Sequence, residues 1–158
     1  MSDKKIVLLS PSSAGRRFAA LPHDDYVEIQ AVVACYGRFY DDDRIDDLVD
    51  LMTEDAVFYP NWPGVAPEQV SGKAALREFF AGARAHCSTT NIQPRHHATN
   101  IIIAAGSANE TNVSAGMLYA ESSPGAEPTL KLVGQYDYVL VKHDDRWSIA
   151  RWSMRYDK

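Results

Sequence analysis

The chain has 158 residues, 46% apolar and 23% charged, with a formal net charge of −5. This is the size and composition of one globular domain with a single core. The acidic balance excludes the clustered basic face that nucleic-acid binding requires, and no stretch approaches the roughly 20 apolar residues of a membrane span.

Residues 1–22 read as an N-terminal extension, flexible or contacting a partner, ahead of a domain at 23–158. Ile6-Val7-Leu8-Leu9 has the texture of a short strand, and the Ser, Pro and Gly after it read as loop. No GxGxxG or GKS/T phosphate loop follows. The apolar run is too short for a secretory h-region, so a cytoplasmic protein is expected.

A first helix is expected from about Asp24 or Asp25, where Asp25 and Glu28 have the spacing of a capping box. Tyr26, Ile29, Val33, Tyr36 and Tyr40 recur at helical spacing, and Val32, Cys35 and Phe39 widen the apolar arc. The helix ends at Asp41-Asp42-Asp43. A second carries Ile45, Leu48, Val49, Leu51 and Met52, and residues 56–59 read as a strand. Asn61-Trp62-Pro63-Gly64 is turn chemistry, and Ser71-Gly72 opens a third helix with Leu76, Phe79 and Phe80. From residue 95 the texture changes to β-branched and aromatic runs at 95–104, 112–120, 129–141 and 146–154, separated by turn residues. Helices first and strands later predict an α+β fold, with helices covering one face of a curved antiparallel sheet and a pocket between the layers. Cys35 and Cys87 lack the spacing of a disulfide scaffold or a zinc site.

Three motifs carry a family resemblance. Tyr36-Gly37-Arg38-Phe39-Tyr40-Asp41, followed by Leu48 through Asp55-Ala56-Val57-Phe58, resembles the opening of the nuclear-transport-factor-2-like superfamily, its SnoaL-like enzymes above all. His96-His97-Ala98-Thr99-Asn100 is similar to a strand motif H-x-x-T-N seen there. Gly134-Gln135-Tyr136-Asp137-Tyr138 and Asp145-Arg146-Trp147-Ser148-Ile149 are similar to the closing hairpin. The resemblance implies a cone-shaped α+β barrel and a homodimer or homotrimer. It leaves activity open among dehydratases, isomerases, epoxide hydrolases, polyketide cyclases, oxygenase subunits and non-catalytic binders, because one fold hosts many functions.

The site residues follow from matching positions. Asp41 falls where scytalone-dehydratase-like and bile-acid-dehydratase-like members carry an aspartate that pairs with a strand histidine, and His96 matches that histidine. A carboxylate holding one imidazole nitrogen fixes the tautomer and stabilises the imidazolium formed when the other nitrogen takes a proton. Without the resemblance, Asp41 reads equally as a turn or a helix cap. His96 and His97 are neighbours on a strand, so only one can face a pocket and the two cannot share a metal. Strict alternation puts His96 with Ala98, Asn100 and Ile102, and His97 with Thr99, Ile101 and Ile103; the motif selects His96.

Tyr36 and Tyr40 could donate hydrogen bonds to a substrate oxygen, or simply pack in the core. Arg151 shares a face with Trp147 and Ile149 by alternation and could bind an anionic oxygen, or make a surface ion pair. Asn100, Phe58, Trp62 and Tyr138 are the expected substrate-binding residues, in a lining that also includes Val33, Phe80 and Tyr119. The function this composes is a cofactor-independent and metal-free lyase or isomerase of dehydratase type, acting on a small hydrophobic substrate. Polyketide-type cyclisation and a non-catalytic or oxygenase-accessory role are the alternatives.

Overall fold

The computed structural model describes residues 21–61, 68–104 and 107–157. The strand expected at residues 6–9, the rest of the extension up to residue 20, and Trp62 lie outside the described residues.

Helix α1 spans His23–Asp41 and buries Ile29, Val32, Val33 and Tyr36, the stripe that the apolar periodicity predicts. Its start differs from expectation. Pro22 is the N-cap, and no side chain caps the helix. The helix therefore begins before Asp25, and the two acids of the expected capping box turn to the sheet instead. Lys142 Nζ donates to Asp25 Oδ1 at 2.8 Å, and the Trp147 backbone N–H donates to Glu28 Oε1 at 3.0 Å.

Helix α2 (Ile45–Asp50) is shorter than its apolar pattern predicts. Met52 begins strand β1 (Met52–Tyr59), because the Ile149 N–H takes the Leu51 carbonyl at 2.8 Å and draws the chain into the sheet. A two-residue strand β2 (Val70–Ser71) leads into α3 (Lys73–Thr89). The long strands β3 (Gln93–Ile103), β4 (Glu110–Ser122), β5 (Thr129–His143) and β6 (Arg146–Tyr156) follow.

The six strands lie in the order β2-β1-β6-β5-β4-β3. The expectation of an antiparallel sheet holds for every pair except β1 and β6, which run parallel, so the sheet is mixed. Hairpins force neighbouring strands to run antiparallel, but β1 and β6 are joined through α3 and four intervening strands and are free of that constraint. The β5–β6 hairpin closes on Asp144 and Asp145, both at positive φ (49° and 59°), the combination of a type I′ turn whose twist matches that of the strands.

Curvature has a local cause. Register shifts interrupt β3 against β4 at Thr99/Ile102, β4 against β5 at Tyr119/Ala120, and β5 against β6 at Val139/Leu140. Each inserts an extra residue that bends and coils its strand. Gly134 permits the tight approach of β5 and β6, since a Cβ there would run into the Arg155 carbonyl. The helices lie in the resulting hollow. The core between the layers holds Ile29, Val33, Leu48, Phe58, Leu76, Tyr136, Tyr138, Leu140, Ile149 and Trp152. This α+β arrangement is the cystatin-like, or nuclear-transport-factor-2-like, fold.

The Asp25–Lys142 pair ties the start of α1 to β5, and the Lys142 ammonium holds the Asp25 carboxyl below its ordinary value. A depressed carboxyl contributes stability that is present above the unfolded-state value near ~4 and is lost as pH falls through the folded value. Asp25→Asn is therefore expected to lower the melting temperature at neutral pH, and its deficit against the parent should shrink as thermal melts are repeated from pH 5 down to pH 2.

Candidate active site

The last turn of α1 meets the first half of β3 at very close range. Tyr36, Gly37, Tyr40 and Asp41 share the helix face turned to the sheet by their i, i+1, i+4, i+5 spacing. Gly37 sets the distance: a Cβ at this position would lie 2.9 Å from His96 Cβ. With the backbones this near, the short Asp41 side chain reaches β3. Its Oδ1 lies 2.6 Å from His96 Nδ1, and its Oδ2 accepts the His96 backbone N–H at 2.7 Å. Gln93 Nε2 donates to the Asp41 carbonyl at 2.9 Å and ties down the helix end. The Asp41 side chain is 4% exposed and that of His96 17%. A carboxylate is an acceptor only. With Asp41 in that form Nδ1 carries the imidazole proton, and Nε2 of the neutral ring is the free base.

His96 forms part of the wall of a chamber between α1, α3 and the sheet, with about 60 Å3 of free space. Aromatic rings dominate the lining: Tyr36, Tyr40, Phe58, Phe79, Phe80 and Tyr119. The imidazole is gripped between two of them. The Tyr40 ring meets it edge-on, 5.0 Å away at 84°, and the Tyr119 ring lies 4.7 Å away at 46°.

Burial pushes the phenols of Tyr36, Tyr40 and Tyr119 well above their ordinary value. All three therefore keep their protons at neutral pH and act as donors rather than bases. Tyr36 Oη accepts the Trp152 indole N–H at 3.2 Å. Tyr119 donates to Glu121 Oε1 at 2.8 Å, and that acceptor raises its phenol further.

The SnoaL-like domain family matches residues 23–153. The chain belongs to that family. Among solved structures it is similar to a proposed aromatic ring hydroxylase from Novosphingobium aromaticivorans, with 24% identity, a TM-score of 0.72, and coverage of 87% of this chain and 92% of that one. A proposed scytalone dehydratase from the same bacterium matches at 24% identity and a TM-score of 0.68, covering 85% of each chain. ActVI-ORFA from Streptomyces coelicolor matches at 15% identity and a TM-score of 0.75, covering 86% of this chain and 97% of that one. No curated protein matches the chain.

Within this SnoaL-like domain, Tyr36, Tyr40, Phe58 and His96 line one chamber, and Asp41 contacts His96 without being part of the lining. Three expected residues among those described do not join them, and for two of these, Asn100 and Arg151, a bulge is the reason. Asn100 has φ of 50° and sits in the register shift of β3, where two residues oppose one on β4. It is exposed, and the inward face passes from Ala98 to Ile101 and Ile103. His96 thus shares its side with those isoleucines, against strict alternation, while His97 is exposed on the outer face. On β6, Ala150 is the extra residue between the pairs Leu140↔Ile149 and Val139↔Arg151. The inward series changes from Trp147 and Ile149 to Trp152 and Met154, and Arg151 is left off the chamber wall.

Tyr138 and Val33 are buried in the core rather than in the lining. Three contributors escaped the sequence reading. Tyr119, expected only as lining, contacts the imidazole directly. It continues the inward series Val113, Ala115, Met117 of β4, and that period-2 signal was available. Gly37 and Gln93 act through backbone proximity, which no sequence pattern announces.

In an ordinary exposed helix, glycine to alanine gains about 1 kcal/mol. Here the clash reverses the sign. Gly37→Ala is expected to cost about 1–3 kcal/mol, the range of overpacking, in urea denaturation. It should also weaken the downfield proton NMR signal of His96 Nδ1–H as α1 is pushed off β3.

Proposed function

We propose that the protein is a cofactor-independent, dehydratase-type lyase or isomerase in which an Asp41–His96 dyad removes a proton from a small hydrophobic organic substrate. The observation that carries this reading is the 2.6 Å contact between Asp41 Oδ1 and His96 Nδ1, with the same imidazole forming part of an aromatic-lined chamber. The family match and the name of one similar structure, the proposed scytalone dehydratase, support a dehydratase type of role.

The proposed sequence uses groups already described. His96 Nε2 takes a proton from the carbon next to a carbonyl, and the C–H electron pair moves into the enolate. Tyr36, or Tyr40 beside it, donates to the enolate oxygen; both phenols stay protonated and so do not compete as bases. The enolate then collapses, the β C–O bond breaks, and the imidazolium returns its proton to the departing hydroxyl as water. Asp41 holds the ring in place and offsets its charge in the intervening step. Arg151, which the sequence offered as the oxyanion partner, has no part in this scheme.

Size narrows the substrate. A cavity of about 150 Å3 holds benzene, so about 60 Å3 admits one ring only when a half-buried lining residue such as Phe79 swings outward. A compact substrate fits this better than a polycycle. Cyclisation of a polyketide-type chain needs the same acid and base and stays within the reading. A purely binding or oxygenase-accessory module does not need the carboxylate–imidazole contact. The homodimer or homotrimer implied by the family is proposed to form through the outer sheet face, where Leu118 lies between His97 and Val133 on the flanking strands. Leu118 and Val133 are both exposed hydrophobics.

The test uses a panel of small aryl β-hydroxy ketones in D2O, followed by NMR for α-deuteration and alkene formation. General-base catalysis of this type contributes about 10²–10⁴-fold, and Asp41→Asn is expected to lose that much. An asparagine amide can donate to Nδ1, which moves the imidazole proton to Nε2 and blocks the base while keeping the shape. His96→Gln should lose a similar factor. Normally folded variants that turn over a panel member at the parent rate would remove the dyad from the mechanism.

A further inference from the structure

Arg84 on α3 is a buried cation that the chamber does not use. Its side chain is 10% exposed. Nε and Nη1 are buried and have no hydrogen-bond partner among the described residues. The nearby carboxylate of Asp43 places Oδ1 3.6 Å from Nε, beyond good hydrogen-bond reach, and the Asp43 side chain is 63% exposed. The Tyr40 ring lies under the guanidinium, 5.7 Å from centroid to Cζ, and a ring face offers no lone pair to an N–H fork. A guanidinium removed from water with donors unfilled is costly to the fold, and the exposed Asp43 carboxylate at 3.6 Å offsets its charge only in part, so an anion brought to it gains attraction.

Arg84 forms part of the wall of a groove separate from the chamber, with no lining residue in common. The groove has a volume of about 550 Å3, within the range of small-molecule sites. Neutral polar groups line the same groove: Ser88, Asn91, Ser122 and Ser123. Ile92 and Pro124 give it an apolar flank. Gln93 belongs to this wall and also donates to the Asp41 carbonyl.

We propose that this groove is a second ligand site, built to take the carboxylate of a small organic acid on Arg84, with the rest of the ligand against Ile92 and Pro124. Asp43 opposes any anion here, and the apolar flank makes the selection: the organic part of the acid gains from Ile92 and Pro124, whereas inorganic phosphate does not. The site is independent of the proton-abstraction chemistry, and its test needs no turnover.

Benzoate is titrated into the full-length protein, with inorganic phosphate in parallel, and backbone amide shifts are followed by NMR. Saturable shifts at Ser88, Asn91 and Ser122 are expected with benzoate, and weaker ones with phosphate. Arg84→Gln should weaken benzoate about tenfold or more, the scale of one charge-assisted hydrogen bond. Asp43→Asn, at an exposed position whose positive φ of 58° asparagine also adopts, should tighten it several-fold, and decides the matter alone if Arg84→Gln does not fold. The proposal is overturned by unsaturable shifts, by shifts confined to the chamber, by phosphate binding more tightly than benzoate, or by a benzoate affinity that Asp43→Asn leaves unchanged.

Discussion

The clamp of Asp41 on His96 is the contact around which the rest of the domain is arranged. A carboxylate that is 4% exposed would be costly to bury unless its acceptor capacity were used. Here both oxygens are used, one by the imidazole and one by the backbone N–H of the same residue. Those two bonds fix the position of the histidine along β3 and the angle of its ring together. Neither forms unless α1 lies almost in backbone contact with β3, which requires a residue without a side chain at Gly37. A helix end, a glycine and a strand histidine therefore act as one unit.

The chamber beside that unit exists because the sheet curls away from the helices. Three interior bulges supply the curl. They also decide what the hollow contains, since each exchanges the inward and outward faces of the strand beyond it. The shift at Asn100 moves a polar residue out and brings Ile101 and Ile103 in. The shift at Ala150 removes Arg151 from the wall and installs Trp152, whose indole N–H then reaches the Tyr36 oxygen. The same device that shapes the space makes it apolar, leaving His96 as the basic group in an aromatic lining.

This explains which parts of the protein the sequence disclosed. The apolar stripe of α1, the strand runs from residue 95, the turn residues between them and the order of helices before strands are periodic or local signals, and each survives in the structure. The pairing of Asp41 with His96 followed from resemblance, not from periodicity, because the two are brought together by a helix–strand crossing that neither segment encodes alone. Arg151 and Asn100 failed because period-2 counting carries a face assignment past a bulge, and these bulges have no glycine or proline to announce them. The acids of the apparent capping box failed for a different reason. Asp25 and Glu28 do satisfy donors, but tertiary ones, Lys142 and the Trp147 N–H, since Pro22 already starts the helix.

Electrostatics then separates the polar groups of the chamber by role. Burial holds the phenols of Tyr36, Tyr40 and Tyr119 protonated far above neutral pH, so none of them competes with the imidazole for a substrate proton. They differ in what their protons already do. The Tyr119 hydroxyl is committed to Glu121, which orients its ring against His96 and leaves its oxygen to accept. The Tyr36 oxygen is an acceptor for Trp152, which leaves its own proton to give. In the proposed reaction one nitrogen takes a proton and one or two hydroxyls stabilise the charge that results, with no need for the cationic side chain that alternation had suggested. A donor that stays neutral suits this lining better than Arg151 would, because a guanidinium in an aromatic chamber without a built-in counter-ion would carry a desolvation cost before any substrate arrived.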